Sequence, residues 1–171
     1  MCLAQNKWGY VLLDFIKITE KEMLENDLYR PITGSLILVK CNDKYLVAFN
    51  KWRNQWEIPA GGLEQGETPR ECVERELLEE TGFNIDISEL KFVFQGRYSK
   101  EKDIALFLYI GKLFFDVKKA QCNSFFINHY GKKLPEVDNF CFFDMNEAIE
   151  KTSKSMKTIL MNIKDKKCLI N

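Results

Sequence analysis

The sequence predicts an α/β fold, and three stretches of the 171 residues carry that prediction. Residues 34–40, GSLILVK, form a nearly continuous apolar run of the kind found in strands that are buried on both faces. Residues 68–82 carry the start and stop signals of a helix. Near the C-terminus, residues 154–167 place apolar side chains at helical spacing with lysines elsewhere, which predicts a terminal helix packed on the sheet.

Length and composition fit a single domain. A chain of this length can bury about 70% of the surface of its unfolded form, and 46% of its residues are hydrophobic, which is ample for a core. We expect one domain over residues 1–171, with an N-terminal extension over about 1–33 and the C-terminal helix over about 154–167. Lys plus Arg equals Asp plus Glu at 25 each, so the net charge does not favour a nucleic-acid-binding surface.

The N-terminal part of the chain predicts mainly strands. Residues 8–18 are dense in β-branched and aromatic residues, which favours a first strand, and the charged stretch 19–31 predicts a short helical or irregular connector. Residues 41–44 form a turn, so the apolar strand before them and residues 45–50 are predicted to make a hairpin. A short strand over 56–58 then leads into a pair of glycines.

The helix that follows the glycines has a well-defined beginning and end. Thr68 is a good N-cap, Pro69 suits the first helical position, and Glu71 completes a capping box. Gly82 is placed to end the helix, because glycine readily adopts the left-handed conformation that helix ends often require.

Three carboxylates gather on one face of this helix. Glu76 and Glu80 are one turn apart, Glu79 lies beside them, and Arg75 has Glu79 at its i+4 position. Two like charges about 4 Å apart repel by roughly 1 kcal/mol in water and about 4 kcal/mol near a protein surface. Mg²⁺ relieves that repulsion and binds carboxylates together with substrate phosphates. A solvated acidic face is the alternative, which the fixed offsets to a glycine turn and a capped helix disfavour.

Residues 61–83 as a whole resemble the Nudix box, G-x5-E-x7-R-E-(apolar)-x-E-E-x-G-(apolar), and they fill every fixed position of it. The resemblance implies an α/β/α sandwich with a mixed β-sheet, in which a loop, a helix and a loop present the glutamates to metal and a diphosphate. It also implies an enzyme that cleaves a phosphoanhydride in a nucleoside diphosphate linked to another group, with water as the nucleophile.

The same resemblance implies a cofactor and a set of catalytic residues. The cofactor would be Mg²⁺, with Mn²⁺ as a substitute. Its ligands would be one carbonyl and three carboxylates, those of Gly61, Glu76, Glu79 and Glu80. Arg75 would belong to the catalytic set, and Glu67 would orient the site or bind a further ion. Glu76 and Glu79 inside the box and Glu136 outside it are all open as the base that deprotonates the water.

Aromatic and basic residues near the box are candidates for binding the substrate. Trp52 and Trp56 could stack on a base, and Arg53 between them could meet a phosphate. Core packing is the alternative for at least one of the tryptophans, since large aromatic side chains mostly bury area. Tyr98, at the end of a strand predicted over residues 91–98, is a further stacking candidate.

The rest of the chain continues with a long apolar strand and a loop predicted over residues 118–135. The stretch after that loop resembles the closing strand and helix of Nudix domains. Glu136 and Asp138 are there candidates for an acid from outside the box, while Asn139 occupies the place where that stretch usually carries a glutamate. Asp144 is predicted to cap a further helix.

The leading prediction is a Mg²⁺-dependent pyrophosphohydrolase that acts on a nucleoside diphosphate linked to another moiety, of the nucleotide-sugar or dinucleotide type. A pyrophosphatase for damaged nucleoside triphosphates and a Nudix-like module that binds a nucleotide without cleaving it are the alternatives. RNA cap removal fits less well, because the sequence lacks the basic surface that RNA backbones require. The expected partner is a small nucleotide, with neither nucleic acid nor membrane, and the sequence leaves a homodimer open.

The cysteines and the apolar runs predict a cytoplasmic location. Six cysteines show no C-x-x-C spacing, and Cys41, Cys72 and Cys141 are expected to be reduced, partly buried thiols. We find neither a signal peptide nor a membrane span in the sequence. A reducing cytoplasm is the setting in which such thiols persist.

Overall fold

A computed structural model describes residues 3–5, 9–83, 87–98, 102–112 and 137–165 of the protein. Within these residues, nine strands form one mixed β-sheet, and α-helices cover both of its faces. The predicted α/β/α sandwich with a mixed sheet is therefore confirmed. The division into an extension, a domain and a terminal helix stays a prediction.

The strands of the sheet are β1 (Ala4–Gln5), β2 (Val11–Ile16), β3 (Ile32–Cys41), β4 (Lys44–Asn50), β5 (Gln55–Glu57), β6 (Ala60–Gly62), β7 (Ile87–Tyr98), β8 (Lys102–Lys112) and β9 (Val137–Phe143). The helices are α1 (Glu20–Glu25), α2 (Pro69–Thr81), α3 (Met145–Lys151) and α4 (Lys154–Asp165). The strand order is β1-β2-β7-β8-β3-β4-β5, with β6 beside β3 and β9 beside β4. Strand β3 is parallel to β8 and antiparallel to β4 and β6, which makes the sheet mixed.

Strand β3 contributes to both cores of the sandwich. Leu36 and Leu38 belong to the core on one face, and Ile37 and Val39 to the core on the other, because successive side chains of a strand point to opposite faces. Helices α3 and α4 pack on the first face, and α1 and α2 on the second. The prediction of a strand buried on both faces is confirmed.

The other predicted elements of the described chain are also present. Strand β2 and the short helix α1 correspond to the expected first strand and connector, and β3 and β4 form the expected hairpin. Asp144 caps α3 through bonds from two backbone N–H groups. The apolar face of α4 is buried in the first core, through Met156, Ile159, Leu160 and Ile163. The loop predicted over 118–135 lies outside the described residues.

The cysteine prediction is right for two positions and wrong for one. Cys41 and Cys72 are free and buried, as expected. Cys141 takes part in a disulfide bond, so the expectation of a reduced thiol there is wrong. Among the described helices, none has the length and hydropathy needed to cross a membrane. The cytoplasmic location stays a prediction.

Candidate active site

Helix α2 begins and ends as its sequence predicts. The hydroxyl of Thr68 accepts from the Glu71 N–H at 3.2 Å, and the Glu71 carboxylate accepts from the Thr68 N–H at 2.9 Å, which closes the capping box. The bond from the Thr68 N–H, followed by a bond of 2.7 Å that the Thr68 hydroxyl donates to the same carboxylate, lowers the pKa of Glu71. Gly82 ends the helix in the left-handed conformation, with φ of 72°. The ends of the helix are therefore fixed by local contacts.

Arg75 is the centre of a carboxylate cluster on this helix. Its Nε and one terminal nitrogen donate to the two oxygens of Glu67, at 2.8 and 2.9 Å, in a bidentate pair. Its other terminal nitrogen donates to Glu76 at 2.6 Å and to Glu79 at 3.4 Å. A further bond of 3.1 Å reaches the carbonyl of Gly62. One guanidinium thus joins the helix to the glycine turn and to the loop before the helix.

The charges in this cluster stabilise one another. Hydrogen bonds from Arg75, which outweigh the effect of burial, lower the pKa of Glu67 to about 2. Hydrogen bonds to Glu67, in turn, are the largest cause that raises the pKa of Arg75. The side chain of Glu67 is only 12% exposed and that of Glu76 17%, whereas that of Glu79 is 47% exposed. Glu67 therefore lies on the shielded side of the cluster and Glu79 on the open side.

Position 61 lies in close contact with the Glu76 side chain of the helix. Gly61 lies in β6, opposite Ser35 of β3. A Cβ atom added there would lie 1.9 Å from the carboxyl carbon of Glu76, so a larger residue would displace that flexible side chain from its present position. The thiol of Cys72 contacts the carbonyl oxygens of Gly61 and Gly62 at 3.5 and 3.4 Å. The structure thus brings together Gly61 and Glu76, two of the residues that the resemblance names as metal ligands.

The oxygen donors of the cluster are of the chemical type that a hard divalent cation prefers. Glu76, Glu79 and Glu80 all lie on α2, the Glu76 side chain lies against Gly61, and Mg²⁺ favours carboxylate and carbonyl ligands. Burial raises the pKa of the neighbouring Cys72 thiol to about 11, so it stays neutral and adds no soft ligand. Within the described residues, however, no three acidic, cysteine or histidine side chains converge closely enough to hold a metal ion. Two of the three carboxylates are instead paired with Arg75.

Trp52 and Trp56 occupy different environments. Trp52 lies in the turn after β4 and is 67% exposed, so its face is accessible. Trp56 packs edge-on against Phe49 and Phe143, with ring centroids 5.3 and 5.4 Å apart, beside the first core. Core packing, the alternative interpretation for one tryptophan, describes Trp56.

The remaining candidates for substrate binding and catalysis are Arg53, Tyr98 and Glu136. Arg53 donates to Glu57 at 3.0 Å, and its own backbone N–H donates to the side chain of Asn50 at 3.0 Å. Tyr98 ends β7, where the structure describes the backbone alone. Glu136 lies outside the described residues. The site roles of all these residues stay predictions.

Two residues that support the site were missed from the sequence. Ser35 is 1% exposed and donates to the carbonyl of Pro69 at 2.6 Å, which ties β3 to the first turn of α2. Its signal was a single hydroxyl inside an apolar run, since a buried hydroxyl needs a partner. Arg70, in the same first turn, pairs with Glu20 of α1. Nothing in the spacing of those two residues could have indicated the contact.

The fold and this arrangement of glutamates define a class of hydrolases, and comparison with known proteins identifies it. The NUDIX domain model matches residues 30–163. An uncharacterized 17.7 kDa protein of Enterobacteria phage T4 is 32% identical over 115 residues, which are 64% of this chain and 75% of that protein. The chain belongs to the NUDIX family, and it is a hydrolase that acts on phosphoanhydrides.

Other relatives match over part of the chain or in fold alone. The RNA pyrophosphohydrolase of Actinobacillus succinogenes is 44% identical over 62 residues, 35% of this chain and 30% of that protein. A mutant of the Bacillus subtilis pyrophosphohydrolase BsRppH superposes with a TM-score of 0.67 over 98% of both chains at 15% identity. An Ap4A hydrolase of C. elegans superposes with a TM-score of 0.56 over 80% of this chain and 98% of that one, at 13% identity.

Proposed function

We propose that the protein is a Mg²⁺-dependent pyrophosphohydrolase for a nucleoside diphosphate linked to another moiety, of the nucleotide-sugar or dinucleotide type. The observation that carries the proposal is the packing of the Glu76 carboxylate against Gly61, with Arg75 pairing it to Glu79 and Glu67. Carboxylates gathered on a capped helix next to a glycine turn are oxygen donors of the type that Mg²⁺ binds together with a diphosphate.

The residues that would hold the cation are Glu76, Glu79, Glu80 and the carbonyl of Gly61. When bound, the cation would neutralise the diphosphate, polarise a phosphoryl oxygen and lower the pKa of a water molecule. Both carboxylate oxygens of Glu67 accept hydrogen bonds from Arg75. The guanidinium would therefore keep its orientation when Glu76 and Glu79 bind the cation. A carboxylate completes the deprotonation of the water, and Glu76, Glu79 and Glu136 are the candidates for it.

The substrate would lie where aromatic and basic side chains are accessible. Trp52 is 67% exposed and could stack on a base, with Arg53, 50% exposed, beside it for a phosphate. Tyr98 is a second stacking candidate. Trp56 is the weakest of the four, because its ring already packs between two phenylalanines. A small nucleotide is accordingly the proposed partner.

RNA is the second candidate substrate. It is favoured by the relatives that are named RNA pyrophosphohydrolase, at 44% identity over 62 residues in one of them. The chain spans 30% of the length of that protein, so the match does not cover its whole surface. The equal numbers of acidic and basic residues, 25 each, argue against an extended RNA-binding surface.

The proposal is tested by assaying purified protein with Mg²⁺ on ADP-ribose, Ap4A, nucleoside triphosphates and 5′-triphosphorylated RNA. A nucleoside diphosphate derivative should give a nucleoside monophosphate and a phosphorylated leaving group, whereas a triphosphate should release pyrophosphate. EDTA should abolish turnover. A kcat/KM at least about tenfold higher for a triphosphate or for RNA, about 1.4 kcal/mol in transition-state binding, would overturn the substrate class. Tight binding without any turnover would indicate a binding module instead.

A further inference from the structure

Arg70 leaves helix α2 on the side away from the carboxylate cluster. It precedes Glu79 by nine residues, about two and a half turns, so the two side chains point in roughly opposite directions. One terminal nitrogen of Arg70 donates to Glu20 at 2.9 Å, and the other donates to the carbonyl of Ile87 at 3.1 Å. Arg70 thereby ties the first turn of α2 to α1 and to the start of β7.

Glu20 joins this arginine to a buried tyrosine. Its second oxygen accepts from the hydroxyl of Tyr109, on β8, at 2.5 Å, and the ring of Tyr109 is fully buried. The guanidinium of Arg70 lies 5.2 Å from the centroid of that ring. Burial first, and the bond to Glu20 next, raise the pKa of Tyr109, so its hydroxyl keeps the proton that it donates. The three side chains form one unit, which we call the Glu20 cluster.

Two requirements of the fold meet at Glu20. A cation in the first turn of a helix is unfavourable, because it faces the positive end of the helix dipole, and Glu20 neutralises Arg70 there. A buried hydroxyl must have an acceptor, and Glu20 supplies one to Tyr109. Glu20 itself is held at the first position of α1 by the capping box of Thr19 and Glu22. Solvent screens this ion pair little, since its side chains are 28% and 32% exposed.

We propose that Glu20 is a positioning residue for the active site, which fixes the rotation of helix α2 through Arg70 and thereby the direction of the helix's metal-binding glutamates. The inference rests on the proposed function of those glutamates. The segment before β3 would then be part of the working enzyme. This segment would contribute to activity by orienting α2 from the side opposite the carboxylate cluster, without contacting the substrate.

The test compares variants of α1 at a temperature where each is folded. Glu20→Ala removes both bonds of the cluster, whereas Glu20→Gln keeps an acceptor for Tyr109 and loses the charge. The matched control is Glu25→Gln, which removes an exposed carboxylate of the same helix that forms a surface ion pair with Lys21 at 4.0 Å. We expect kcat to fall about fivefold or more in Glu20→Ala, less in Glu20→Gln and by less than about twofold in the control, with KM for the nucleotide unchanged.

Two measurements do not depend on turnover. Hydrogen exchange of the amides of residues 70–81 should be faster in Glu20→Ala, and Mn²⁺ binding, measured by electron paramagnetic resonance, should be weaker by about threefold or more. A Glu20→Ala protein with a lowered Tm but the parental kcat and Mn²⁺ affinity would overturn the proposal and leave Glu20 a purely structural role.

Failure of the proposed function gives a different pattern. If the parent turns over no nucleotide, the proposed function fails, while the exchange and Mn²⁺ measurements still decide whether Glu20 positions α2. If Glu20→Ala does not fold, Arg70→Gln replaces it, since that change leaves the bond between Glu20 and Tyr109 in place. Parental kcat and Mn²⁺ affinity in folded Arg70→Gln would then overturn the proposal.

Discussion

Two arginines five residues apart on helix α2 hold carboxylates in different ways. Arg75 pairs with Glu67, Glu76 and Glu79, all within eight residues of it in the sequence. Arg70 pairs with Glu20, which is 50 residues away. The first arginine organises the carboxylates that we propose as part of the active site, and the second attaches the helix to the rest of the fold. A short motif can therefore encode the chemistry of the site while its orientation depends on distant residues.

The largest expected effect is a loss of activity when the candidate metal-binding glutamates of α2 are changed. Glu79→Gln and Glu80→Gln remove charge with almost no change of shape. Each should lower kcat by about two orders of magnitude or more, as loss of a metal ligand does. Thermal unfolding should show an unchanged or slightly higher Tm, because repulsion between like charges is relieved. Normal residual turnover together with a marked loss of folding would contradict the assignment.

The second effect distinguishes the two arginines. Arg75→Gln leaves Glu67, Glu76 and Glu79 without their common cation, and we expect a loss of about 2 kcal/mol in the free energy of unfolding. Mg²⁺ should restore more of that stability in Arg75→Gln than in Arg70→Gln, because the metal can replace only the charge that faces it. Urea unfolding with and without Mg²⁺ measures the difference. An equal gain in unfolding free energy with Mg²⁺ in both variants would contradict the different roles of the two arginines.

The third effect uses the two matched capping boxes of the chain. Thr68→Ala removes the cap of α2 and should cost about 1 kcal/mol of stability and part of the activity, since the same turn positions the glutamates. Thr19→Ala removes the equivalent cap of α1 and should lower kcat less. Thermal unfolding and kcat at saturating substrate are the measurements. If Thr68→Ala is as stable and active as the parent, the helix does not depend on that cap.

The smallest expected effect is a loss of stability at low pH, when Glu67 becomes protonated. The pKa of Glu67 is about 2 in the fold, below its ordinary value of 4.5, so its ion pair stabilises the protein fully above about pH 4.5. That contribution is lost as the pH falls from about 4.5 towards 2. In EDTA, the difference in unfolding free energy between the parent and Glu67→Gln should therefore be larger at pH 6 than at pH 3. A difference that does not change with pH would show that Glu67 acts through packing alone.

Prediction from the sequence succeeded where contacts are local. The capping box of Thr68 and Glu71 and the end of the helix at Gly82 follow from fixed offsets along the chain. Such offsets are set by helix geometry and turn chemistry, which a short window of sequence contains.

Prediction failed where a contact joins distant segments. Glu20 looks like any acidic residue at a helix start, and its pairing with Arg70 depends on how α1 and α2 pack on the same face of the sheet. The disulfide at Cys141 was also missed, because cysteine spacing does not reveal which thiols are paired in the fold. The two environments of the tryptophans likewise depend on which of them meets the phenylalanines of β4 and β9.

The parallel pairing of β3 with β8 has a consequence for the order of folding. These neighbours are far apart in the sequence, with Ile32 opposite Ala105, and the bond between Glu20 and Tyr109 spans 89 residues. Closing such long loops costs entropy before any contact repays it, whereas a capped helix needs only its own residues. We expect α2 and its carboxylates to form early in folding. The Glu20 cluster, which needs Tyr109 of β8, should form only when β8 pairs with β3. Enzymatic competence should then be among the last properties that a refolding chain acquires.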